Sequence, residues 1–397
     1  MAISAFKALL ICSLCLAFFL FYLFFERVTL QKRLEKIHLR ICVNGTRGKS
    51  TVTRLIASAL TEAGYRVLAK TTGSKPVLIF PDKTEKEIKR AGKPTILEQK
   101  HVLTVAGEAQ ADALVVEMMS IRPENSKVES EKLLKPHVLV MTNVRLDHMD
   151  DMGQTKPEIA ASLAKAIPSR GTLLVMEDEF YPAFQAVADK KGTRIIKVSR
   201  SAGREIGGQE FEENVRLTLA AAEFLGLSKD TAFRGMAKAQ PDFGGLKVWM
   251  TRVEGEGPAW YLASAFAANE PESTQKVLSL LRVRFPKLPS RMIALLNLRE
   301  DRGDRTRQWL EALKVGFFDS FEHLVFIGGH AQVLGRKKLS GPSAKTKISA
   351  LAERCPQKIM DEIFGREIGG AVIVGMGNMG GLGGELVNHW ARIGVSL

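Results

Sequence analysis

Beyond an apolar stretch at its amino terminus, the chain alternates short apolar runs with segments whose apolar residues recur at helical spacing. This is the pattern of parallel strands joined by crossover helices. Residues 41–43, 65–69, 113–117, 138–141, 172–176 and 194–198 read as strands of a first unit. Residues 50–63 read as a helix, with Val52, Leu55, Ile56, Ala59 and Leu60 on one face and Gly64 ending it. After a helical stretch at 210–225, the turn chemistry of residues 241–245 (PDFGG) marks a hinge. Strands at 260–265, 292–297, 323–327 and 371–374 predict a second unit. Residues 336–347, basic and punctuated by Gly, Pro and Ser, predict an exposed loop. The class is α/β, divided into a segment over 1–37, a central domain over 38–245 and a smaller α/β domain over 246–397.

Residues 8–25 hold no charge and would form a helix about 27 Å long, close to the thickness of a bilayer's hydrocarbon core. No small-residue cleavage site follows Phe24-Phe25-Glu26-Arg27, which favours a retained anchor over a cleaved signal. Only Lys7 precedes the span, whereas Arg27, Lys32, Arg33, Lys36 and Arg40 follow it, so the positive-inside bias places the remaining chain in the cytoplasm. Residues 28–38 read either as an amphipathic connector with basic groups near lipid phosphates or as a solvated charged linker. Composition adds limits. With 45% apolar and 25% charged residues in 397, the chain is neither disordered nor collagen-like, and its four cysteines are too few to staple it. The net charge of +14 suits anionic lipid, nucleic acid, or phosphorylated and carboxylate substrates. Aromatic stacking platforms are not apparent, so nucleic acid is not an expected partner.

The sharpest motif, Asn44-Gly45-Thr46-Arg47-Gly48-Lys49-Ser50-Thr51, lies between a strand and an amphipathic helix. Glycines let backbone N–H groups turn inward, the helix start adds positive potential, Lys49 brings a mobile charge, and Ser50 offers a hydroxyl to magnesium. Glu117 ends a strand. Buried without a partner it would cost several kcal/mol, so a neighbouring cation explains it, the bland alternative being a carboxylate in water. His148 lies in Asn143 to Asp150 (NVRLDHMD), where a loop hydrogen bond competes with ligation, because magnesium prefers oxygen. Asn269 follows a strand and precedes Pro271, either as a surface turn or as a nucleotide contact. The run from Arg299 to Thr306 (REDRGDRT) reads as solvated ion pairs, or as Arg302 or Arg305 reaching across a cleft to a transferring phosphoryl group. Gly375 to Gly380 (GMGNMG) reads as a tight strand-to-helix turn facing the cleft, since no strand with an acidic end follows it.

The loop at 45–51 resembles the shortened phosphate loop of the Mur ligase superfamily, and Glu117 and residues 143–150 resemble its magnesium-binding segments. Together with the span and residues 70–73, 147–153, 266–269 and 299–306, the arrangement is similar to the poly-γ-glutamate synthase catalytic subunits (PgsB/CapB type) over nearly the full chain. The resemblance implies a Mur-ligase-like phosphate-loop ATPase domain on a parallel sheet, a Rossmann-like carboxy-terminal domain and an amino-terminal transmembrane helix. It also implies use of ATP and Mg2+, with Ser50 on one magnesium, Glu117 and His148 on a second, and Asn269 against adenine. Lys49, His148, Arg302 and Arg305 would serve the chemistry, in which a γ-carboxyl group is phosphorylated and then attacked by an amine. The implied substrates are glutamate and a poly-γ-glutamate chain, at the cytoplasmic face of the cell membrane. Small membrane subunits of an export complex are implied partners, and a homo-oligomer is allowed. Many Mur ligases carry a carbamylated lysine downstream of the histidine segment, and neither Lys156 nor Lys165 falls clearly at that position. A folylpolyglutamate-like or peptidoglycan-precursor ligase is the alternative on the same fold, and a membrane nucleotide switch or motor the alternative outside it.

Overall fold

The computed structural model describes residues 2–73, 76–90, 94–176, 178–199, 212–242, 244–253, 257–331, 346–367 and 369–397, with Gly92 and Leu334. Residues 336–345 of the expected loop, 210–211 of the expected helix and residue 243 of the hinge lie outside these.

The first sheet contains β1 (Leu39–Asn44), β2 (Val67–Thr71), β3 (Val77–Ile79), β4 (Glu85–Glu87), β5 (Ala113–Glu117), β6 (Val138–Met141), β7 (Thr172–Met176) and β8 (Arg194–Val198). Their order is β4-β3-β2-β5-β1-β6-β7-β8. The expected strands form its parallel part, while β3 and β4 add an antiparallel edge. β1 lies between β5 and β6, and all four described residues of β6 and all five of β5 are buried, as continuous apolar runs in a doubly covered sheet should be. Helix Lys49–Glu62 follows β1 directly. Its predicted apolar face is buried at all five positions, and the chain leaves through Gly64 at φ 93°.

The second sheet contains β9 (Lys247–Arg252), β10 (Ala259–Ser264), β11 (Met292–Asn297), β12 (His323–Ile327), β13 (Lys347–Ala350), β14 (Val372–Gly377) and β15 (Val395–Ser396). Its order is β13-β12-β11-β14-β10-β9-β15, with β9 and β15 antiparallel to their neighbours. Lys347, expected in a loop, instead opens β13 and pairs with His323.

The amino-terminal helix runs from Ala2 to Glu35, and the stretch Leu9–Glu35 is long and apolar enough to cross a membrane. The connector expected over 28–38 is therefore mostly a continuation of that helix, and it is amphipathic. Leu34 and Ile37 are buried in one cluster with Leu68, Val102 and Leu114, and Leu30 packs against it. Arg40 locks the turn, its guanidinium donating to the carbonyls of Leu34 (2.9 Å) and Ile37 (2.8 Å) on one side and Leu134 (3.1 Å) on the other. A chain beginning at Val28 should fold as stably as the soluble part can. One beginning at His38 forfeits Leu34 and Ile37, each worth about 1.5–3 kcal/mol of burial. A lower urea midpoint for the shorter chain is the expected result; equal midpoints would show that these side chains do not stabilise the body.

Candidate active site between the two sheets

The phosphate loop leaves the carboxyl end of β1, where ligands gather in open parallel sheets. Asn44 is buried, and its Oδ1 accepts from Gly45 N at 2.8 Å. Gly45 takes φ 127°, and a Cβ there would lie 2.1 Å from Thr142 Oγ1, so only glycine fits. Asn143 staples the loop from β6: it accepts from Thr46 Oγ1 at 2.8 Å and Arg47 N at 3.1 Å, and donates to Arg47 O at 3.1 Å. Gly48 turns with φ 79° into the helix that carries Lys49, Ser50 and Thr51. The Lys49 ammonium folds back onto Gly45 O at 2.8 Å, and burial lowers its pKa from the ordinary lysine value.

Glu117 closes β5 and is buried. One carboxylate oxygen accepts from Ser50 Oγ and from Thr72 N, both at 2.7 Å. Burial raises its pKa, against the nearby Lys49 charge and these two donors. The set suits a hard cation. A buried carboxylate and a hydroxyl converge beside a loop built for phosphate, and Asn44 Nδ2 and Thr142 Oγ1 are buried there without a partner among the described residues. No group of three or more His, Cys, Asp or Glu able to hold a metal occurs among the described residues. Any ion here therefore needs oxygens from substrate or water as well.

Asp147, inside the NVRLDHMD segment beside His148, is the hub. Its buried carboxylate pairs with Arg47 of the phosphate loop at 3.1 Å, and with Arg302 at 3.0 Å and Arg305 at 3.1 Å from the second domain. Burial alone would raise its pKa, but the guanidinium charges hold it well below the ordinary carboxylate range. His148 sits beside it, Nε2 3.7 Å from the carboxylate, on a backbone at φ 48°. Burial pulls the imidazole down to about 4, so it is neutral near pH 7.

The second domain holds its side of the contact rigidly. Arg302 also pairs with Asp304 at 2.9 Å, and Arg305 Nη1 donates to Asn378 Oδ1 at 2.7 Å. Burial lowers Arg305 to about 10, still charged at neutral pH. Asn378 and Asn297 exchange side-chain and backbone hydrogen bonds at 2.6 and 3.1 Å, which fixes the glycine-rich turn after β14. Oriented so that its nitrogen donates to Phe266 O and Gly377 O, Asn269 accepts from Arg47 at 2.9 Å and from Arg305 at 3.1 Å. The structure thus gathers Arg47, Asn269, Arg302 and Arg305 around Asp147, and Lys49, Ser50 and Glu117 around the phosphate loop. The sequence reading missed Asp147, Asn143 and Asn378 as organisers. Their signal was position alone, each in the loop that follows a strand.

Comparison with known proteins agrees with this geometry. Residues 43–229 match the Mur ligase middle domain, and residues 250–393 match the poly-gamma-glutamate synthase CapB C-terminal domain. The crystal structure of a bifunctional folylpolyglutamate synthase/dihydrofolate synthase from Yersinia pestis CO92, complexed with AMPPNP and a manganese ion, is similar in fold. Its TM-score is 0.63 at 15% identity, with 92% of each chain covered. The Mur ligase middle-domain match, with two sheets meeting at a phosphate loop, puts the chain among the ATP-dependent amide ligases of the Mur ligase type. The capsule biosynthesis protein CapB of Bacillus anthracis is 36% identical over 310 residues, covering 76% of this chain and 66% of that protein. The PGA synthase CapB of Bacillus subtilis (strain 168) is 33% identical over 365 residues, covering 90% of this chain and 91% of that one. The chain belongs to the poly-γ-glutamate synthase CapB family.

Replacing Asp147 with Asn should leave three arginines without their carboxylate and cost about 3–5 kcal/mol, the range for breaking a buried ion pair. The sign with pH follows from the depressed pKa. Stability from Asp147 is full above its ordinary value of 3.8 and is lost only as pH falls below it, so Asp147→Asn should flatten the acid limb of unfolding. Denaturant titrations from pH 6 to 2 decide this, and parallel curves for both chains would count against it.

Proposed function

We propose that the chain polymerises glutamate through γ-linked amide bonds, phosphorylating the γ-carboxyl end of the chain and joining it to the amine of the next glutamate. The convergence of Lys49, Ser50 and Glu117 with the Asp147 arginine hub at the facing carboxyl ends of two sheets supports the phosphoryl transfer, and the family supports the choice of glutamate. Such a site transfers phosphoryl groups by holding and neutralising charge. Bound ATP supplies the phosphoryl group, and a divalent metal, magnesium in this reading, stabilises charge on its oxygens.

In this reading the chain's own residues divide the work. Backbone N–H groups of residues 48–50, at the start of helix Lys49–Glu62, bind the phosphates, those of Gly45, Thr46 and Arg47 being engaged by Asn44 and Asn143. Lys49, whose pKa burial lowers, regains a counter-charge when its ammonium leaves Gly45 O for a phosphate oxygen. Ser50 and Glu117 hold the metal, and neutral His148 is available as a further donor. Arg302 and Arg305 are held at the phosphate loop by Asp147, so charge building on the transferring group meets guanidinium already in place. Asn269 fixes the position of Arg47 and Arg305 and stands at the cleft where the nucleotide would enter. Anchorage by the amino-terminal helix, a cytoplasmic body and small membrane subunits as partners complete the proposal.

Lys49→Ala should lower turnover by about 10²–10³-fold while leaving the unfolding midpoint within a few degrees. Glu117→Gln should raise the magnesium concentration for half-maximal rate at least about tenfold. The measurement is mass analysis of products formed from ATP, magnesium and single amino acids. A γ-linked glutamate polymer is the expected product; ADP release with no amide would overturn the ligase reading.

A further inference from the structure

Helix Glu98–Glu108 packs along the amino-terminal helix where that helix leaves its apolar run. Lys100 pairs with Glu26, the first charged residue after the expected span. The two helices enclose an open groove whose lining includes Tyr22, Phe25, Glu26, Thr29, Arg33 and Lys100. Its upper wall is apolar, with Phe25 60% exposed, and its lower wall is cationic. Arg33 makes no ion pair among the described residues. Just before the helix that carries Lys100, Leu97 stands 56% exposed. An aromatic rim above cations, at the end of an apolar helix, matches the chemistry of a lipid whose acyl chain lies beside the span and whose phosphate lies just below.

We propose that this groove binds the head group of an acidic phospholipid, with Arg33 and Lys100 on the phosphate and Leu97 in the interface. The proposal rests on the membrane-anchored reading above. Charge complementarity selects the occupant: Glu26 neutralises only one of the two cations, so the groove keeps a positive charge that a zwitterionic lipid would answer less well. The site also adjoins the catalytic loop region. Glu98, at the first turn of the same helix, pairs with buried Lys70 at 2.7 Å and Arg90 at 2.7 Å. Arg90 donates to Thr72 Oγ1 at 3.1 Å, and Thr72 N donates to Glu117. A lipid seated in the groove therefore touches the helix whose first turn braces the residues around Glu117.

The test uses the full-length chain in uncharged detergent, titrated with short-chain phosphatidylglycerol or phosphatidylcholine, with bound lipid counted by native mass spectrometry. Phosphatidylglycerol should bind at least about fivefold more tightly, and Arg33→Gln and Lys100→Gln should each weaken it about fivefold without changing phosphatidylcholine binding. Unchanged ADP affinity in these variants checks that they fold. Equal affinity for the two lipids in the unaltered chain, or full selectivity in the double variant, would overturn the proposal. Displacement of the lipid by an equal concentration of glycerol phosphate would overturn it too, by making a free phosphate the ligand. Flotation of the chain with phosphatidylcholine vesicles tests the anchor separately, because micelle selectivity does not depend on insertion.

Discussion

One buried carboxylate holds this molecule's working geometry. Asp147 lies after β6 of the first sheet, yet two of its three arginine partners come from the turn and helix after β11 of the second. A lone buried carboxylate is costly, and three lone guanidinium groups facing one another are costlier, so the low-energy arrangement brings all four together. Docking of the two domains and placement of charge at the phosphate loop are thus the same event. Arg145 reinforces it lower in the interface, donating to Ser273 Oγ at 2.6 Å.

The other half of the site works by opposite means. Around Asp147 opposite charges are abundant and paired, whereas Glu117 is buried with hydrogen-bond donors and no ion pair among the described residues, and burial raises its pKa. Lys49, close enough to favour its charged form, is itself lowered by burial. A phosphate beside Lys49 would relieve the lysine, and a cation between that phosphate and Glu117 would relieve the carboxylate, which is why the two residue types belong together here.

Much of this could be read from the chain, and the failures share causes. Strands such as 113–117, 138–141 and 292–297 were legible because a doubly covered parallel strand is one unbroken apolar run. β4, Glu85-Lys86-Glu87, lies at the surface and carries no apolar signal; β3 offers it an edge and buried Arg54 pairs with Glu85. β9 begins at a lysine and joins antiparallel, outside the repeating strand–helix pattern. At the site, the phosphate loop is local in sequence and so was visible whole. Asp147, Asn143 and Asn378 matter through partners far along the chain, and nothing in their own neighbourhoods distinguishes them from turn residues. The connector after the span was ambiguous for another reason: Leu30, Leu34 and Ile37 are only three apolar positions among many charges, and burial depends on a helix that arrives sixty residues later.

That connector sets where the chemistry stands relative to the anchor. From Glu26 the helix descends to Glu35, about 14 Å at 1.5 Å per residue. The chain turns through residues 36–38, and β1 runs for six residues, about 20 Å at 3.3 Å per residue, to the phosphate loop. The contacts fix the direction of that return. Helix Glu98–Glu108 meets Glu26 through Lys100, and its first turn meets Lys70 and Arg90, which reach Thr72 and hence Glu117 at the carboxyl end of β5. β1 is parallel to β5, so its carboxyl end lies on the same side. The strand therefore doubles back along the helix, and the phosphate loop returns to the level of Glu26. With the helix in a bilayer, the carboxyl end of the first sheet, covered by the second domain through Asp147, would lie on the side of that sheet nearer the span.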